Sequence, residues 1–237
     1  MTKRFYHYAH RRRTMQEFVL DRLRRRPAKP FDGEFELHPF DLCVGRGESI
    51  ALIGTNGSGK STVLRLMAGI YPPTDGVVVH RGRVAAVIEL GTTFQPELTG
   101  DENVELYAAA LGLTRQQIAG RRETIFEFSG VADFRDVPLK YYSSGMRSRL
   151  AFAIASHAEP DILLLDEVLA VGDHTFRSRC HQRLREFTAG KGTMVVVTHD
   201  LDAARELCCH GVWLERGRVH RTGPIGEVID AYEASAA

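Results

Sequence analysis

Along the chain, short runs of apolar residues alternate with stretches whose apolar positions recur every three to four residues, the two periods of strands and helices. Residues 49–53 predict a strand, a glycine-rich turn follows, and 61–68 carry a helical pattern. Residues 71–76 predict a turn, and 77–79 with 84–88 predict a hairpin around Arg81-Gly82. From 101 to about 159 the helical period dominates, over 102–111, 114–128 and 146–157. Strand-length apolar runs return at 162–165 and 194–198, each behind a helix. A second hairpin, 212–214 and 218–220 across Arg216-Gly217, precedes a helix near 224–234. Buried strands interleaved with helices predict an α/β fold with a parallel sheet covered on both faces. The all-helical middle third predicts an inserted lobe, approximately 96–159.

Composition narrows the class. A chain of 237 residues, 43% hydrophobic and 26% charged, is not a disordered, collagen-like or disulfide-scaffold protein. No apolar run approaches the roughly 18 residues of a membrane span, and the N-terminus has no apolar core of a secretion signal. The four cysteines lack a CxxC spacing, and the adjacent thiols of Cys208-Cys209-His210 cannot alone close a tetrahedral metal site, so a reducing cytosol is expected. Charge is balanced overall, 31 basic against 30 acidic side chains, but residues 1–30 hold ten basic and two acidic ones. Within them Thr14-Met15-Gln16-Glu17 has the form of a capping box, Phe18, Val19 and Leu23 form an apolar stripe, and Arg22 and Arg24 to Arg26 occupy the last turn. Pro27 and Pro30 end the segment. The division is therefore a basic arm with a short amphipathic helix, 1–30, and a folded body, 31–237. The arm is either a solvated extension or a surface that meets anions: lipid head groups, nucleic acid or an acidic partner.

Chemistry enters after the first strand. Gly54-Thr55-Asn56-Gly57-Ser58-Gly59-Lys60-Ser61 matches G-x-x-x-x-G-K-[ST] between a strand and a helix, with Thr62 next. Glycines let backbone N–H groups turn inward around phosphates, the helix N-terminus adds its positive end, Lys60 supplies a mobile charge, and the Ser61 hydroxyl can ligate Mg²⁺. In Ile162-Leu163-Leu164-Leu165-Asp166-Glu167 a buried strand delivers Asp166 to its C-terminal end, where it can hold Mg²⁺ through water. Glu167 then stands where a general base for an attacking water is needed. Tyr142-Ser143-Ser144-Gly145-Met146 opens a helix with small residues, and its free N–H groups read either as an ordinary cap or as a second phosphate-facing end. His199, after the strand 194–198, has the place of a γ-phosphate sensor.

From about residue 32 onward these motifs together resemble the nucleotide-binding subunit of ATP-binding-cassette (ABC) transporters. Tyr142 to Met146 corresponds to the family's L-S-G-G-Q signature, Ala170-Val171-Gly172-Asp173 to its D-loop, and His199 to its switch histidine. The resemblance implies a mixed core sheet with an inserted helical subdomain, and ATP held with Mg²⁺ between the P-loop of one subunit and the signature of another. It also implies a homodimer joined to two membrane-embedded permease subunits on the cytoplasmic face of the inner membrane. The form Tyr-Ser-Ser-Gly-Met-Arg, with Phe94-Gln95-Pro96-Glu97-Leu98-Thr99-Gly100-Asp101-Glu102-Asn103, is similar to the subgroup exporting bacterial capsule, O-antigen and teichoic acid. There Gln95 either reaches the Mg²⁺ and water or touches the permease. An aromatic on adenine is expected from the N-terminal segment, with Tyr8 chosen over Tyr6 and Phe31. A chain ending at Ala237 leaves no room for an appended carbohydrate-binding domain, which points to capsule export, with periplasmic or outer-membrane components as further partners. The alternative is a soluble ABC-type ATPase working on nucleic acid or ribosomes. On the export reading no nucleic acid is expected.

Overall fold

The computed structural model describes residues 3–5, 35–88, 94–167 and 173–236. The central sheet joins β3 (Ser49–Ile53), β4 (Val84–Val87), β5 (Ile162–Asp166), β6 (Thr193–Val197), β7 (His210–Glu215) and β8 (Arg218–Pro224) in the order β4-β5-β6-β3-β7-β8. All neighbours are parallel except the β7–β8 hairpin, so the sheet is mixed, with its antiparallel strand at one edge. A separate antiparallel pair joins β1 (Lys3–Phe5) to β2 (Phe35–Leu37).

Strand periodicity sends alternate side chains to two cores. Ala51, Ile53, Leu163, Leu165, Met194 and Val196 face a cluster completed by α4 (Ser144–His157), α5 (His174–Ala189), α6 (Leu201–Leu207) and α7 (Ile225–Ala236). Leu52, Leu164, Val195 and Val197 face the other, which includes Val63, Leu64 and Leu66 of α1 (Lys60–Met67). A third core lies in the helical region. There α2 (Gly100–Ala110), α3 (Arg115–Ser129) and α4 bury Val104, Ile125, Phe126, Leu150 and Ile154 among one another.

One expectation from the sequence is corrected. The hairpin of 77–79 with 84–88 does not form: Val84–Val87 pairs in parallel with Ile162–Leu165 instead, while Val77 and Val79 are 79% and 77% exposed. Gly82 (φ 127°) lies so close to Asp161 that a Cβ there would fall 2.6 Å from the Asp161 Cβ, and Arg83 N–H donates to Asp161 Oδ2 at 2.8 Å. The turn is thereby tied to the start of β5, where burying an apolar strand gains more than an exposed ribbon. Lys3–Phe5, within the expected arm, pairs with Phe35–Leu37, and α6 forms over residues for which the sequence pattern gives no expectation. The helix expected around residues 14–26 lies outside the described residues.

Candidate nucleotide site

The order β5-β6-β3 aligns three strand ends. Leu52 stands opposite Val197, and Val197 opposite Asp166, so the loop after β3, the turn after β6 and the carboxylates after β5 share one edge. Residues 54–59 leave β3 through glycines that only glycine suits: Gly54 has φ 140°, and a Cβ there would sit 2.1 Å from the Leu214 carbonyl oxygen. Gly59 (φ 110°) caps α1 without a side-chain hydrogen bond, which leaves the first N–H groups of the helix open to an anion.

Lys60, 5% exposed, donates to the carbonyls of Gly54 at 2.8 Å and Thr55 at 3.0 Å. Burial lowers its pKa, and Glu167 and Asp166 oppose that by Coulomb attraction. Ser61 Oγ donates to Asp166 Oδ1 at 3.2 Å. Burial pushes the Asp166 carboxyl up, the Ser61 hydrogen bond opposes it, and the like charge of Glu167 adds to it. Glu167 takes the left-handed backbone (φ 52°), sparsely populated by non-glycine residues. Its N–H donates to the Val197 carbonyl at 2.9 Å, and its carboxylate lies 2.9 Å from His199 Nε2. Ser61, Asp166, Glu167 and His199 thus converge from three separate strands.

The residues fit a nucleoside triphosphate with a divalent cation. The side chain of Ser58 is buried and its Oγ has no hydrogen-bond partner among the described residues. Lys60 spends its donors on loop carbonyls that phosphate oxygens could replace. Ser61 and Asp166 are a hydroxyl–carboxylate pair of the oxygen donors that Mg²⁺ takes.

The other predicted residues sit elsewhere. Ser143 caps α4, accepting from Met146 N–H at 3.1 Å, and with Ser144 it is exposed. Tyr142, the first residue of the expected signature, is turned inward: it is 3% exposed, and its hydroxyl donates to the Phe134 carbonyl at 2.7 Å. Burial pushes that hydroxyl up to about 12. A Cβ on Gly145 would meet nothing nearer than Ser143 Oγ at 3.9 Å. No hydrogen bond between described residues joins 142–146 to 54–62. Asp173 caps α5, accepting from Phe176 N–H at 2.8 Å; residues 170–172 of the expected D-loop lie outside the described residues. Gln95 is exposed and held by its backbone. Tyr6, Tyr8 and Phe31 lie outside the described residues. Asn103, which grips Gln95, escaped the sequence reading, because an asparagine inside a helix gives no local sign of what it bonds.

Residues 37–170 match the ABC transporter family. This chain belongs to that family. It is 46% identical over 196 residues to the "O-antigen export system ATP-binding protein RfbB" of Klebsiella pneumoniae, covering 83% of this chain and 80% of that protein. It is 41% identical over 202 residues to the "Teichoic acids export ATP-binding protein TagH" of Listeria innocua, covering 85% of this chain and 58% of the other. Among solved structures, an ATP-binding subunit of an ABC transporter superposes with a TM-score of 0.74 at 26% identity, over 83% of this chain and 86% of that one. A dimeric ATP-binding cassette in a post-hydrolysis state, bound to ADP and phosphate, superposes with a TM-score of 0.73 at 25% identity, over 84% and 94%. The fold is that of an ABC ATPase domain.

Proposed function

We propose that this chain hydrolyses ATP to drive export of a surface polysaccharide or lipid-linked glycan across the inner membrane. The observation that carries the ATPase part is the convergence of Lys60, Ser61, Asp166, Glu167 and His199 on one sheet edge. The export part is supported by relatives named for O-antigen and teichoic acid export. The O-antigen relative is matched over 80% of its length, so chain length does not favour capsule over O-antigen. None of these relatives supports the nucleic-acid alternative.

In this reading Lys60 and the open N-terminus of α1 hold the phosphates, and Ser61 and Asp166 would hold Mg²⁺, which would supply positive charge against the phosphates. Glu167 orients water and accepts its proton, while His199 holds the Glu167 carboxylate in place. Two copies pair head to tail, each P-loop facing the other's Ser143, Ser144 and Gly145. The exposure of Ser143 and Ser144 at the N-terminus of α4 supports this arrangement, since it leaves that end open to a second copy. Asp173 and Gln95 lie near that seam or the permease. Two permease subunits harvest the movement, with periplasmic or outer-membrane components beyond. No helix among the described residues is long and apolar enough to cross a membrane, and in this reading the chain is held peripherally at the cytoplasmic face. The basic residues of 1–30 add attraction to anionic lipid, about 1 kcal/mol for each one near the surface.

Proteoliposomes holding the chain, its permease and a lipid-linked glycan test the reading. ATP-dependent glycan movement, with hydrolysis raised by the permease, is expected. Hydrolysis stimulated by DNA or RNA, with no glycan movement, would overturn it.

A further inference from the structure

Asn103 on α2 is fully buried, and a buried amide must satisfy its polar atoms. Its Oδ1 accepts the Gln95 N–H at 2.8 Å, and its Nδ2 donates to the carbonyls of Gln95 at 3.0 Å, Leu98 at 3.1 Å and Thr99 at 2.8 Å. The three carbonyls do not depend on it. Leu98 N–H also donates to Gln95 O, Leu139 N–H to Leu98 O, and the backbone N–H of Asn103 itself to Thr99 O. The Gln95 N–H, among the described residues, has Asn103 as its sole partner. What this side chain uniquely supplies is therefore the orientation of the Gln95 peptide, although Gln95 itself is exposed.

The gripped segment is also tied to the approach to Ser143. Lys140 N–H donates to the Pro96 carbonyl at 2.9 Å, Leu139 N–H to the Leu98 carbonyl at 2.9 Å, and the Lys140 ammonium pairs with Glu97 at 2.6 Å. Thr99 and Pro138 form a further backbone bridge. Residues 95–99 and 138–140 are thus joined as one strap, whose far end runs through buried Tyr142 into the exposed N-terminus of α4.

We propose that Asn103 is a positioning residue for ATP turnover: it sets the direction in which the Gln95 side chain leaves the lobe and locks that direction to the Ser143–Gly145 end of α4. The proposal deepens the ATPase reading and rests on it. Asn103 touches no nucleotide; it acts through Gln95.

The test is a double-mutant cycle on the full chain with ATP·Mg²⁺, reading kcat and KM from phosphate release. Asn103→Ala lowers kcat about tenfold and leaves the KM for ATP within twofold; Gln95→Ala does the same. The double variant is no slower than Gln95→Ala. Losses that multiply in the double variant, as a merely structural role would give, overturn the proposal, as does a wild-type kcat in either single variant. Amide hydrogen exchange of the native chain covers the case in which Asn103→Ala does not fold: the Gln95 amide is protected at least tenfold relative to an open peptide, and full-rate exchange there overturns the assignment. A Lys60→Ala chain that hydrolyses ATP undiminished would instead sink the ATPase reading, independently of Asn103.

Discussion

Lys60 is held by carbonyl oxygens of its own loop, not by a carboxylate, so the loop keeps a buried cation ready at little cost in mutual neutralisation. Charge-assisted hydrogen bonds are worth about 1.5–3 kcal/mol each. Lys60→Ala is therefore expected to weaken ATP binding at least about a hundredfold, measured by titration calorimetry with the fold intact. Glu167→Gln keeps the shape of the site and removes the proposed base. It is expected to lower kcat by about 10² to 10⁴ while ATP binding persists, and single-turnover hydrolysis checks this. Gly54→Ala is the steric counterpart: a methyl 2.1 Å from the Leu214 oxygen, on a backbone with φ 140°, has no room. That variant is expected to lose thermal stability and ATP binding together. These residues were legible in the sequence because the P-loop and the acids after β5 are local patterns with fixed spacing. The pairing of Glu167 with His199 follows from β5 and β6 being neighbours, which no local pattern states.

At the scale of elements, the helices of the lobe are set by paired caps. Thr99 and Glu102 form a capping box at α2, and Thr114 and Gln117 form another at α3. Only the first contains a titrating group. The backbone hydrogen bond from Thr99 lowers the Glu102 pKa below its ordinary 4.5. A lowered folded-state value means that the stabilisation is present above 4.5 and is lost as the pH falls through the folded value. Thr114→Ala is thus expected to cost about 1 kcal/mol regardless of pH. Thr99→Ala keeps the N–H but removes the hydroxyl that also donates to the Glu102 carboxylate and lowers its pKa; it destabilises at neutral pH, and the hydroxyl–carboxylate part of its penalty fades in acid, so urea unfolding at pH 7 and below pH 4.5 separates the two. Amphipathic periods made these helices readable to within two residues, while the two boxes went unread. The hairpin expected at 77–88 failed for the opposite reason: Val84–Val87 has the length and composition of a ribbon strand, yet the apolar edge of β5 offered it a better partner. The short strand of Lys3–Phe5 was missed because three residues beside a long basic stretch carry no period to read.

The whole molecule has two bodies of packing that serve one reaction. The sheet edge gathers the P-loop and carboxylate residues, while the N-terminus of α4, with Ser143 and Ser144 exposed, belongs to the lobe and its separate core. In the proposed reading a site divided in this way is completed by a second copy, and the energy of closing it goes to a membrane partner. The division was legible in the motifs, but the strap from Gln95 to Ser143 was not, since it is made of backbone hydrogen bonds between segments some 40 residues apart. Sedimentation of the Glu167→Gln chain with and without ATP·Mg²⁺ tests the central claim most directly. The expected result is a two-chain mass with nucleotide and a one-chain mass without it, with Gly145→Asp abolishing the pair while leaving ATP binding intact. A one-chain mass at saturating ATP would contradict the account.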